Sequence, residues 1–261
     1  MEISVLGSGS SGNSIYINNG QNKILVDAGF SGKELEKRLN IINVKADDID
    51  AILITHEHDD HICGAGVISR RYNIPLYANE LTWQGAAKKL GKIVSENQKV
   101  FSGEFMLGDF GIRPFSISHD ALDPVGFLVQ FKGKKIGIAT DMGYVNNKII
   151  DLLYGSNFIV LEANHDLEML MTGSYPWYLK NRIRGKEGHL SNDDTAAVLP
   201  KLINSNNPRV LLAHLSKENN IPDIAYITVK NNLVDKDLSI GRDLELSVAF
   251  RDRPTEIYKI G

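Results

Sequence analysis

The sequence predicts a layered α/β fold in one domain spanning residues 1–261. Three observations carry this. Short apolar runs, of the length of buried strands, alternate with segments whose apolar positions recur at helical spacing. With 261 residues, 43% of them hydrophobic, the chain is long enough to bury a sizeable core. Side chains of metal-binding type recur where apolar runs stop, and layered α/β proteins bind ligands at the carboxyl ends of their strands.

In chain order, Ile3–Leu6, Ser14–Ile17 and Lys23–Val26 read as three strands. The first two are joined by Gly7-Ser8-Gly9-Ser10-Ser11-Gly12-Asn13. A Gly-rich turn permits positive φ and close ligand approach, so Ser8 and Asn13 are candidate phosphate contacts. The loop lacks the lysine and following helix of a nucleotide-binding P-loop, and a plain hairpin connection explains it equally well. Ser31-Gly32-Lys33-Glu34 is a capping-box pattern that opens a helix through Leu39 and Ile42. Ile49–Ile54 is a strand, Ala65–Tyr72 a helix, Pro75–Ala78 a strand and Thr82–Leu90 a helix. Lys99–Phe101, Glu104–Leu107 and Ile112–Ile117 are expected as short strands of a second sheet. Val125–Phe131 and Lys135–Thr140 make a hairpin around Lys132-Gly133-Lys134. Then follow a helix at Asn146–Leu153, a strand at Phe158–Leu161 and a helix at Asp193–Ile203 capped by Ser191 or Asn192. Val210–Ala213 reads as a strand, Pro222–Leu233 as a helix and Leu244–Phe250 as the last strand.

Composition excludes several classes of function. The net charge of −3 gives no global basic field, so any polyanion site must be local. A single cysteine, Cys63, rules out an internal disulfide framework and fits a reducing compartment; it is expected to be a small buried apolar residue. Residues 1–6 lack the basic start and long apolar core of a signal peptide. No apolar run is long enough to span a bilayer, and the protein is read as soluble and cytoplasmic. No repeat of 20–50 residues is visible.

The densest chemistry lies in Thr55-His56-Glu57-His58-Asp59-Asp60-His61. Three of the seven histidines fall in six positions here, after the strand ending at Ile54. His56 and His58 are two apart, and an extended backbone turns both to one side. Asp60 and His61 then point elsewhere, so the pattern suits two neighbouring cations better than one. Imidazole nitrogens with a few carboxylates favour zinc or a similar transition ion. Elsewhere His119, Asp141, Glu162 and His214 also stand at strand ends.

This stretch resembles the metal signature of metallo-β-lactamase-fold hydrolases. The resemblance implies an αββα sandwich, two mixed sheets packed between helices. It also implies a ligand set: His56, His58 and His119 on one divalent metal ion, Asp60, His61 and His214 on a second, Asp141 bridging, and Asp27 supporting the metal loop. Two ions, zinc or manganese, would bring the pKa of a shared water toward neutrality and stabilise anionic charge in the transition state.

Leu161-Glu162-Ala163-Asn164-His165-Asp166, Gly188-His189-Leu190-Ser191-Asn192, the opening Gly-Ser-Gly-Ser-Ser-Gly-Asn-Ser and His119-Asp120 with Asp123-Pro124-Val125-Gly126-Phe127 resemble the YycJ/WalJ-type group of this fold. That group implies a nucleic-acid phosphodiesterase, a 5′-to-3′ DNA exonuclease with a role in mismatch repair. It implies catalytic roles for Asp60, Glu162 and His189, with His189 oriented by Glu162 to assist the scissile phosphate or the leaving oxygen. His165 is either a substrate contact or structural. Residues 174–187 bring aromatics together with Arg182, Arg184 and Lys186, the residue types that contact bases and phosphates; an amphipathic helix with a solvated basic face accounts for them as well. The alternative function is a small-molecule metallohydrolase acting on a thioester, lactone or cyclic phosphodiester, since fold does not fix substrate. A di-iron redox protein fits less well, because such relatives replace the residue at His58 with an acid.

Overall fold

The computed structural model describes residues 1–204 and 206–261. Its elements in chain order are β1 (Glu2–Gly7), β2 (Ser14–Asn18), β3 (Lys23–Val26), α1 (Gly32–Ile41), β4 (Ala51–Leu53), α2 (Asp59–Ile62), α3 (Ala65–Tyr72), β5 (Leu76–Ala78), α4 (Glu80–Leu90), β6 (Gln98–Val100), β7 (Phe105–Leu107), β8 (Phe110–Ser116), β9 (Val125–Phe131), β10 (Lys134–Ala139), α5 (Asn147–Leu153), β11 (Phe158–Glu162), α6 (Leu167–Thr172), α7 (Trp177–Ile183), α8 (Asn192–Val198), β12 (Arg209–Ala213), α9 (Pro222–Val234), β13 (Glu245–Val248) and β14 (Tyr258–Lys259). The strands form two mixed sheets. The chain divides into two compact units: Met1–Pro114, Ala121–Val125 and Phe250–Gly261 in the first, Phe115–Asp120 and Gly126–Ala249 in the second.

In the first unit the strand order is β14-β1-β2-β3-β4-β5-β6. β14, β1, β2 and β3 are antiparallel neighbours, whereas β3 to β6 run parallel. Parallel neighbours need crossovers, and α1, α3 and α4 supply them. This places 98–100 differently from the sequence expectation. The short strand there extends the first sheet beside β5, because α4 returns the chain alongside it. Leu35 and Leu39 of α1, Ile68 of α3 and Leu90 of α4 pack with Leu6, Tyr16, Leu25, Ile52 and Leu76 of the strands. The neighbouring positions Val5, Ile17, Ile24 and Leu53 are fully buried too, so both strand faces are covered.

In the second unit β13-β12-β11-β10-β9 follow in order. β9 and β10 are the expected hairpin, and β10 to β13 run parallel. Ile149 and Leu153 of α5, Ala196 of α8 and Val229 and Leu233 of α9 close over Ala139, Ile159, Leu161, Val210 and Leu212.

Helix ends follow local chemistry. Ser31 accepts the Glu34 N–H at the start of α1, but Glu34 spends its own carboxylate on Arg38 rather than reaching back to the cap. Asn79 caps α4, which therefore begins ahead of the expected Thr82, and Gly91 ends it at φ 69°. Ser191 and Asp194 form a full capping box at α8. The expected continuation of α8 to residue 203 gives way to a 3₁₀ turn at Leu199–Lys201, where Pro200 has no N–H to donate. The short helices α6 and α7 and the two-residue β14 have too few turns or residues to show a period. Cys63 is exposed, not buried: it follows the last residue of α2, on the outer side of that turn.

Among the described residues no helix is long and apolar enough to cross a membrane. α1 offers a test of the packing. Leu39→Ala removes a fully buried side chain and should cost about 2–5 kcal/mol. Ile41→Ala, exposed on the same helix, should stay within about 0.5 kcal/mol. Urea unfolding measures both, and equal shifts would contradict the assigned core face.

Candidate metal centre

The parallel register of the first unit brings two strand ends together. Val26 pairs with Leu53, so Asp27 and Thr55 lie just past the same edge. The Asp27 backbone takes φ 62° there, in the left-handed region. Its carboxylate receives three donors: the Thr55 N–H at 2.9 Å and hydroxyl at 2.8 Å, and His61 Nδ1 at 2.7 Å. Burial pushes the Asp27 carboxyl up, while His61 and Thr55 pull against that shift. Because a carboxylate only accepts, His61 carries its proton on Nδ1 and Nε2 becomes the basic nitrogen. Thr55 spends its single hydroxyl proton on Asp27, so it accepts at 3.0 Å from His56 Nδ1. His56 is thereby set in the same tautomer as His61.

His56 Nε2 lies 3.1 Å from His58 Nδ1. Two nitrogens bound at about 2.0–2.1 Å to one tetrahedral ion stand roughly 3.3 Å apart, so the pair suits a shared cation. The helical turn α2 follows, with His58 as its cap residue. It carries Asp60, whose Oδ2 is 3.6 Å from His61 Nε2.

Asn13 clamps the Gly-rich loop to this turn. Its Oδ1 accepts from Gly9 N–H and Ser8 Oγ, and its Nδ2 donates to Asp60 Oδ2 at 3.2 Å. Ser8 and Asn13, read from sequence as phosphate contacts, are both buried here. Gly29 completes the clamp: a Cβ on it would stand 1.7 Å from the Asp60 carbonyl oxygen. Sequence reading missed the roles of Thr55 and Gly29. Nothing in a Thr before a His, or in an Ala-Gly pair, signals a partner tens of residues away.

In the second unit the same construction recurs. Ala139 pairs with Leu161, and Leu161 with Leu212, so β10, β11 and β12 end at one edge. Asp141, Glu162 and His214 stand just beyond it, with Asp141 at φ 60° and His214 at φ 57°. Glu162 is fully buried, and its carboxylate is surrounded by donors. Oε1 lies 2.8 Å from both His189 Nδ1 and His214 Nδ1; Oε2 accepts the N–H of Met142 at 2.8 Å and of Leu190 at 3.2 Å. Burial alone pushes the Glu162 carboxyl up, but the two imidazoles outweigh it and hold it at about 2. Glu162 is thus an ionised carboxylate that fixes two tautomers, with Nδ1–H donated by each histidine.

His214 Nε2 lies 3.3 Å from Asp141 Oδ1, and His119 Nε2 lies 4.0 Å from the same oxygen. The first spacing is that of two ligands on one ion. Burial lowers the His119 pKa against the charge of Asp141, which favours the neutral ring a metal requires. Asp141, Glu162, His189 and His214 each offer an atom within 4.8 Å of the others. Glu162 is spent on hydrogen bonds, which leaves Asp141 and His214 as the natural donors of this set. The residues present therefore fit divalent cations.

His189 differs from its neighbours: its side chain is 20% exposed. Its N–H donates to the Ile183 carbonyl, and Gly188 before it is packed so tightly that a Cβ would stand 2.0 Å from that same oxygen. His165 is buried at 1% exposure, and burial lowers its pKa to about 4, so its neutral ring sits away from solvent. Arg182, Arg184 and Lys186 are exposed, and Arg182 forms an ion pair with Asp120, beside His119.

The sequence of residues 22–215 matches the family described as the β-lactamase superfamily domain. The chain belongs to that superfamily. Exodeoxyribonuclease WalJ of Streptococcus pneumoniae is 43% identical, over 99% of this chain and 98% of that protein. Exodeoxyribonuclease YycJ of Bacillus anthracis is 38% identical, over 100% of this chain and 99% of that protein. Among solved structures, the metallo-β-lactamase fold protein YhfI of Bacillus subtilis superposes with a TM-score of 0.71 over 98% of this chain and 99% of that chain, at 16% identity. The metallo-β-lactamase fold expected from the His56–His61 turn is thus the fold of this chain, and divalent metal binding goes with it.

Two substitutions probe the tautomer logic. Asp27→Asn and Glu162→Gln each put an amide where His61, or His189 and His214, donate. Losses of about 10–100-fold in metal affinity are expected, read by competition with a chromogenic chelator. Unchanged affinity in both would refute the assigned proton positions. Gly29→Ala should lower metal content as well, since the Asp60 backbone must move.

Proposed function

We propose that the His56–His61 turn and the strand ends carrying His119, Asp141 and His214 hold two divalent cations, zinc or manganese, and that the chain is a metal-dependent nuclease. His56, His58 and His119 would hold one ion and Asp60, His61 and His214 the other, with the Asp141 carboxylate available to both. The substrate is nucleic acid and the activity a 5′-to-3′ DNA exonuclease of the repair type, working in the cytoplasm. Full-length similarity to proteins named exodeoxyribonuclease supports this, as does a lone cysteine outside any disulfide.

The observation that carries the reading is the bond of 2.8 Å between Glu162 and His189. Metal ligands alone serve any hydrolase of the fold; a partly exposed imidazole locked to a buried carboxylate beside them is what a phosphodiester leaving group calls for. Bound cations would supply an activated water and neutralise charge building on the phosphoryl oxygens. Asp60 Oδ2 accepts the proton of the attacking water. His189, held through Nδ1 by Glu162, acts as the imidazolium: it keeps the Nδ1 proton on Glu162, gives its second proton from Nε2 to the leaving oxygen, and is left as the neutral ring. Arg184 and Lys186, both exposed, meet the phosphates that flank the cut.

Digestion of end-labelled single- and double-stranded DNA and RNA by metal-loaded protein tests the proposal. Stripping the metals should abolish turnover and readdition should restore it. His189→Ala should retain both ions yet lose about 10²–10⁴-fold in kcat; undiminished turnover removes it from the chemistry. Arg184→Glu with Lys186→Glu should weaken DNA binding and flatten its salt dependence by about one to two units of slope. A salt slope equal to that of the parent protein would place the phosphate contacts elsewhere.

A further inference from the structure

The helix α7 turns its largest aromatic side chains outward. Trp177 is 59% exposed and its neighbour Tyr178 is 75% exposed. Indole and phenol rings on a short surface helix are costly in water and usually mark a contact surface. The helix itself is fastened down: Lys180 is buried, and its Nζ donates to the carbonyls of Met171 at 2.8 Å and Gly173 at 2.7 Å, closing the end of α6. The outward pose of the rings therefore comes with a fixed helix. The Arg184 guanidinium lies 5.7 Å from the centre of the Trp177 ring, holding the indole while bringing a positive charge beside it.

The same helix is wired to the catalytic residues of its unit. Its last residue, Ile183, accepts the N–H of His189 at 2.7 Å. Arg182 pairs with Asp120, next to His119, and Ser118 Oγ donates to the Lys186 carbonyl.

We propose that Trp177 and Tyr178 form a stacking platform for unpaired nucleobases of the substrate strand. This rests on the nuclease reading above and specifies which form of nucleic acid the site grips. Charge and ring chemistry both point to such a partner: cationic Arg184 and Lys186 for the backbone, flat apolar rings for the bases. Every base has a π face, so the platform reads no sequence, as an enzyme that walks along a strand requires. Rings that stack along successive bases of one strand need those bases released from pairing, so the end being degraded must fray.

The test uses metal-loaded full-length protein and end-labelled DNA whose degraded end is either flush or unpaired, with one abasic residue walked through the first four positions. The unpaired end should be degraded faster than the flush end. An abasic residue at the one of these positions that meets the platform should raise KM by roughly ten-fold for the parent protein. Trp177→Ala should raise KM on intact strands by a similar factor and lose the response to the abasic residue, while Trp177→Phe keeps most of it. Tyr178→Ala, read in the same way, guards against a folding defect in the first variant. A KM unchanged in both alanine variants, or a loss equal on intact and abasic strands, overturns the platform while leaving the nuclease reading in place. A parent protein that degrades no strand overturns both.

Discussion

Glu162 sits at the end of β11 with no exposed surface, and four N–H groups close on its carboxylate. Taking a carboxylate out of water is costly unless its oxygens are fully engaged. Here the engagement comes from two backbone amides and two imidazoles, so ionisation is retained deep inside the unit. The consequence is chemical. One buried charge dictates the tautomer of His214, which faces Asp141, and of His189, which is the most open histidine of the group. Asp27 does the equivalent work in the first unit, directly for His61 and through the Thr55 hydroxyl for His56. Each set of metal-type donors is thus governed by a carboxylate that accepts hydrogen bonds from its histidines.

Both carboxylates depend on strand register. Parallel neighbours end at a common edge, and the residues just past that edge are side by side whatever their distance along the chain. Asp27, Asp141 and His214 also hold positive φ, a backbone state that costs a non-glycine residue on the order of 1 kcal/mol. Left-handed residues at three donor-bearing strand ends indicate that surrounding packing, rather than local preference, decides where these side chains go. The fully buried strands beneath them supply the rigidity this requires.

Charge is deployed locally in the same spirit. The chain as a whole is slightly acidic, yet Arg182, Arg184 and Lys186 cluster on the segment that leads into His189. Asp120 holds one of these cations beside His119. This places cationic side chains next to His189 while the chain as a whole stays slightly acidic.

Most elements were legible in the sequence because their signals are local. Short apolar runs marked the strands of both sheets, Ser31 and Ser191 marked helix starts, and the Lys132-Gly133-Lys134 turn marked a hairpin. The misreadings are where local signals fail: a three-residue strand carries no information on which sheet it joins, and Cys63 resembles a core residue until its neighbours are placed. His56, His58, Asp60 and His61 could be picked out because they are close in sequence, and His119, Asp141 and His214 because they follow apolar runs. The sequence by itself determined the class of fold, the types of donor and the charge around His189. Only the tertiary structure decided that Thr55 relays between Asp27 and His56, that Glu162 holds His214 as well as His189, and that Asn13 grips Asp60. Apart from the contact between the neighbours Thr55 and His56, those bonds join residues far apart along the chain, and it takes the pairing of strands to bring them within hydrogen-bond reach.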